Sequence, residues 1–177
     1  MERQHSPNTD PPGGSLPATN ADVSTARHHA GVELIVEAVR LRGRARFRVR
    51  GVSMRPWLRA GDVLEVQRET LEAMRPGDLA VFTRAAGLFV HRVIGRCVRG
   101  GEPMLITKGD AFPEPDTPVS REELLGSVVR VARGRHNISL DAPARRALGK
   151  MLAGVSATMP WWYPGARALK RSLSRVL

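Results

Sequence analysis

The chain has 177 residues, 42% of them hydrophobic and 25% charged, and a net charge of +11. Those values describe a globular chain long enough to bury a core, and they exclude a disordered polyelectrolyte. The single cysteine, Cys97, excludes an intramolecular disulfide and any multi-cysteine metal site. The five histidines show no ligand spacing, so neither a metal nor a cofactor is expected.

The positive charge is localised. Residues 40–50, RLRGRARFRVR, carry six Arg and no acid, and residues 141–177 carry a further net +6, leaving the rest at −1. A dedicated nucleic-acid binder would spread its charge over one face, so nucleic acid is not the expected partner.

The first 30 residues are rich in Pro, Ser, Thr and Asn and lack an apolar stretch. They read as a disordered leader and not as a secretory signal. Nowhere does a run of about 18 apolar residues occur, as a membrane-spanning helix requires. Residues 31–41, GVELIVEAVRL, place Val32, Ile35, Val36 and Val39 on one helical face. The period then changes to two. Over 40–50 Arg takes every even position and Leu41, Ala45, Phe47 and Val49 alternate with it, which predicts a strand with one Arg face.

From 61 to 133 short β-like runs alternate with turn signals. The runs are 63–67, 79–83, 88–96, 104–108 and 127–133, separated by AGD, RPGD, AAG, RGGEP and GDAFPEPDTP. This pattern predicts a compact, mainly antiparallel β domain over 31–140 with a short leading helix, α+β overall. Asp62 and Asp78 each follow Gly and read as turn residues. After residue 141 the pattern is helical again. A Trp161-Trp162-Tyr163 cluster precedes a basic amphipathic helix, readable as an interfacial anchor or as a cap on the β domain.

Three places concentrate reactive side chains: Ser53 in GVSMRP, His91 in FVHRVIG, and Asp110 and Asp116 in KGDAFPEPD. Singly each is ordinary turn or core chemistry. Together they meet a known need. A Ser hydroxyl is a weak nucleophile without an adjacent base, and imidazole titrates near working pH. A carboxylate then holds the imidazole tautomer and stabilises the imidazolium.

The segments GVSMRPWLRAGDVLEV, RPGDLAVFT, FVHRVIGR and TKGDAFPEPD…LLGSVV resemble the signal peptidase I family over about residues 45–132. The resemblance is closest to the archaeal and endoplasmic-reticulum branch, in which His replaces the Lys base. LexA-like autoproteases share the scaffold. The resemblance implies Ser53 as nucleophile and His91 as general base. It favours Asp116 as the orienting carboxylate, with Asp110 supporting, although the Pro-Glu-Pro connector lets either acid approach His91. The Ser53 N–H is the natural first oxyanion donor. Many signal peptidases supply a Ser hydroxyl at the position of Gly51, so Gly51 either leaves that donor out or serves a tight bend. Met54 and Pro56 are expected to shape the loop and the substrate groove.

The expectation is a serine endopeptidase, soluble or peripheral to an anionic membrane surface on the cytoplasmic side, that cleaves leader-like or signal-like peptides. A LexA-like autoproteolytic regulator is the first alternative. A non-catalytic basic module for lipid or nucleic acid is the second.

Overall fold

The computed structural model describes residues 20–85, 87–140 and 149–154. A helix, α1 (Asn20–Arg42), leads into seven strands: β1 (Arg44–Arg48), β2 (Val63–Arg68), β3 (Leu79–Arg84), β4 (Gly87–Arg99), β5 (Glu102–Lys108), β6 (Leu124–Arg133) and β7 (His136–Ser139). Residues 149–154 are also helical. The strands form one sheet in the order β1-β2-β6-β3-β4-β5, with β7 on β6. Every pairing is antiparallel. The fold is therefore mainly β with flanking helices, as the alternation of short runs and turns predicts.

The helix begins upstream of its expected start. Residues 20–30, read as the end of a disordered leader, are the first half of α1. No Pro follows Pro17 before the helix, and Ala21, Ala26 and Ala30 favour it. The helix also takes Arg40–Arg42, so the Arg-faced strand is shorter than the 40–50 expected. Gly43 makes the break. Its φ of 72° is left-handed and its N–H donates to the Val39 carbonyl at 3.0 Å, closing the helix. Within β1 the alternation holds, with Arg44, Arg46 and Arg48 exposed and Ala45 and Phe47 turned inward.

The core lies on both sides of β3. Leu79 and Val81 join Val39, Met54, Leu58, Leu64, Val66, Leu125, Val128 and Val131 in one cluster. Ala80 and Phe82 join Leu71, Met74, Val93, Leu105 and Val119 in another. A central strand buried on both faces reads as a continuous apolar run, which is why LAVF shows no alternation. Strand β7, HNIS, was not among the expected strands. It is short and mostly exposed, and its pairing with β6 is what defines it.

The predicted turn acids behave as such. Asp62 accepts the Arg59 N–H at 2.9 Å and Asp78 accepts the Arg75 N–H at 2.7 Å. Residues 149–154 meet the body at the Asp78 turn. Gly77 has φ of 102°, and a Cβ there would stand 2.5 Å from the Gly149 carbonyl carbon. The rest of the expected basic C-terminal extension, including Trp161, Trp162 and Tyr163, lies outside the described residues, as do residues 1–19.

Candidate active site

Consecutive residues of a strand face opposite sides. His91 and Arg92 on β4 therefore need separate partners, and the loop after β5 supplies one to each. His91 is 5% exposed and stands edge-on to Phe82 and Phe89. Its Nδ1 lies 2.6 Å from Asp116 Oδ2. Arg92 binds Asp110 through two parallel bonds, Nε to Oδ1 at 2.9 Å and Nη2 to Oδ2 at 2.6 Å, and donates to the Gly77 carbonyl at 3.0 Å. Both side chains of that ion pair are almost fully buried. The ambiguity between the two acids is thus resolved by geometry: Asp116 is on the imidazole, and Asp110 is committed to the guanidinium.

Thr107 fixes Asp116. Its hydroxyl donates to Asp116 Oδ2 at 2.7 Å, and its carbonyl accepts the Asp116 N–H at 2.8 Å. The returning loop then pairs Val119 with Leu105, which exchange backbone bonds. Lys108 is almost fully buried beside it. Its ammonium donates to the Phe112 carbonyl at 2.5 Å, clamping the 109–112 turn. Burial pushes its pKa below the ordinary lysine value, and the charges of Asp110 and Asp116 oppose that shift.

Ser53 sits half-exposed in the turn after β1. Met54, buried in the core with Leu58, anchors this turn. The Leu58 N–H donates to the Met54 carbonyl at 3.0 Å, and Pro56 is exposed at the tip. The Ser53 carbonyl accepts the Ala111 N–H at 2.8 Å, which ties the Ser53 turn to the loop carrying both acids. Gly109 marks the corner where the two meet His91. A Cβ there would lie 2.9 Å from the Ser53 backbone carbonyl oxygen and 3.3 Å from His91 Nε2. Gly109 therefore stands between the Ser53 backbone and the His91 ring, whose Nδ1 meets Asp116.

Among the described residues the Ser53 hydroxyl makes no hydrogen bond, and its N–H donates to no acceptor. In the tautomer that donates from Nδ1 to Asp116, Nε2 carries the lone pair. Gly51 is exposed, has no left-handed φ, and a Cβ there would meet nothing within 4 Å. The bend does not require a glycine.

Ser53 opens into a cleft of about 470 Å³ lined by Phe47, Val49, Gly51, Met54, Leu88, Val90 and Phe112. Two backbone edges border it. Residues Leu88–Val90 pair with β3 on one side only, because β5 joins β4 from Arg92 onward. Arg50 and Gly51 carry no backbone hydrogen bond among the described residues.

The sequence names Ser53, His91, Asp110 and Asp116 as candidates and assigns no role to Arg92, Thr107, Lys108 or Gly109. One signal was available for Arg92. Two acids in one loop, opposite His-Arg on one strand, imply one acid for each face.

Among the described residues no group of His, Cys, Asp and Glu is placed to hold a metal ion, and no helix is long and apolar enough to cross a membrane. No protein-family model matches the chain, and no match is found among curated proteins. The fold by itself defines a mostly antiparallel seven-stranded sheet domain.

Proposed function

We propose that this protein is a serine endopeptidase of signal-peptidase type. The observation that carries the reading is the His91–Asp116 pair, 2.6 Å apart, with His91 buried and its Nε2 beside the Gly109 corner that meets the Ser53 backbone. In the reaction, Ser53 Oγ attacks a peptide carbonyl as His91 Nε2 takes its proton. Asp116 stabilises the imidazolium, and the Ser53 N–H receives the oxyanion. The imidazolium then protonates the leaving amine, and water activated by His91 releases the acyl group.

The substrate is a leader-like or signal-like peptide bound in extended form. The two open backbone edges beside the cleft support this, since a strand can pair with them while alternate side chains enter the apolar floor. The protein acts on the cytoplasmic side, peripheral to an anionic membrane surface. The exposed arginines of β1 support that placement.

A second reading, cleavage of its own chain, draws on one observation: α1 lines the same cleft through Gly31, Val32 and Ile35.

The test is labelling with a serine-directed fluorophosphonate, followed by cleavage of a peptide library. Labelling and cleavage by wild type, both lost in Ser53→Ala and His91→Gln, are the expected result. Equal labelling of wild type and Ser53→Ala refutes the reading. Self-cleavage at a rate independent of protein concentration selects the second reading.

A further inference from the structure

The cleft beside Ser53 has an apolar floor and a charged rim of one sign. Arg27 from α1 and Arg48 and Arg50 from the β1 end line it, and among its described lining residues there is no Asp or Glu. All three arginines are exposed. None pairs with a carboxylate among the described residues, whereas Arg84, Arg92, Arg121, Arg130 and Arg133 each do. Arg48 is directed by a 3.3 Å bond to the Gly61 carbonyl, leaving donors of its guanidinium unused.

Arg48 and Arg50 lie on one side of an extended segment, about 7 Å apart along it. At that spacing Arg48 and Arg50 lie within a Debye length of one another, and Arg27 lines the same cleft. Their mutual repulsion costs free energy that an anionic occupant relieves.

We propose that the cleft selects peptides with acidic residues flanking an apolar residue. The inference rests on the peptidase reading and names its substrate class. The apolar floor takes the side chain next to the cut bond, and the rim takes carboxylates on either side. Concavity and the two open backbone edges favour a peptide over a lipid surface or a nucleic acid. A floor of Phe47, Val49, Leu88 and Val90 offers phosphate groups nothing. Substrates with a basic flank are rejected by like charge.

The test uses full-length Ser53→Ala, which binds without cutting. Three labelled peptides share one apolar core and carry Asp/Glu, Gln or Lys flanks. Fluorescence anisotropy measures their affinity at low and high salt. Each exposed ion pair contributes about 1.5- to fivefold, so the acidic peptide should bind roughly tenfold more tightly than the Gln peptide. Salt should erode that preference. Adding Arg27→Gln, Arg48→Gln and Arg50→Gln should abolish it, with circular dichroism confirming the fold. Equal affinity for the three peptides, a preference that survives the three substitutions, or no binding of any peptide overturns the proposal. So does binding of anionic vesicles in place of the acidic peptide.

Wild type is then assayed on the same peptides. Cleavage without regard to flank refutes the charge selection and leaves the peptidase reading intact. Charge-selective binding by Ser53→Ala without any cleavage by wild type refutes the peptidase reading and keeps the selection.

Discussion

Asp110 and Asp116 lie in one loop, and their replacement by Asn should have opposite consequences. Asp110 neutralises Arg92 through two short bonds at a site where each side chain is about one-twentieth exposed. Asp110→Asn leaves a buried guanidinium facing an amide that cannot compensate its charge. Breaking a buried ion pair on one side costs about 3–5 kcal/mol. For a chain of this size each kcal/mol moves the melting temperature by about 2–4 °C, so the expected fall is roughly 6–20 °C. Asp116 is more open, with a fifth of its side chain exposed, and its partners are one imidazole and the Thr107 hydroxyl. Asp116→Asn should cost little stability, because Asn retains an oxygen that can accept from Thr107. It should instead remove the group that holds the His91 tautomer, a change that lowers kcat by about 10⁴ in serine proteases. Thermal unfolding by circular dichroism and kcat/KM on a fluorogenic peptide, well below either melting point, separate the two effects. An unchanged melting temperature in Asp110→Asn refutes the assignment of that acid to the fold. Activity within tenfold of wild type in Asp116→Asn refutes its role at His91.

Gly109→Ala inserts a methyl 2.9 Å from the Ser53 backbone carbonyl oxygen and 3.3 Å from His91 Nε2, which displaces the Ser53 turn from the imidazole, so kcat should fall by about 10–100-fold with the fold retained, and wild-type activity would show that this corner is not the site. Gly51→Ser adds a hydroxyl in open space two residues before Ser53. If it reaches the oxyanion, kcat should rise several-fold with little change in KM, and a fall in kcat would contradict that geometry. Asp62 is held below its ordinary value of 3.8 by hydrogen bonds from Arg133, against the opposing effect of burial. Its folded pKa is depressed, so its contribution to stability is present above that ordinary value and is lost as pH falls through the folded one. Urea unfolding of wild type and Asp62→Asn should therefore differ near about pH 6 and converge toward about pH 2, and a difference independent of pH would refute the pairing.

The elements most legible in the sequence are those that local rules govern. The antiparallel strands appear as short apolar runs between Gly and Pro turns. Arg44, Arg46 and Arg48 appear as an exposed face because a strand alternates with period two. Asp62 and Asp78 appear as turn acids because their carboxylates bond to backbone three residues back. The identities of Ser53, His91 and an acid are legible because few side chains can supply that chemistry.

Other features depend on partners remote in the chain. The start of α1 at Asn20 is hidden by a polar composition, and packing of Val36 and Val39 against the core supports the helix whose end Gly43 sets. Strand β7 exists through its pairing with β6. The choice between Asp110 and Asp116 is decided by the opposite faces of β4, since His91 and Arg92 cannot share one carboxylate. Thr107, Lys108 and Gly109 stand inside the TKGD motif, but what each does is not readable there, because each acts on a loop that folds back over its own strand. The sequence by itself determined which groups are available and which strands carry them. Only the tertiary structure decided which acid meets which base, because that depends on strand facing and loop return, and neither is encoded in spacing along the chain.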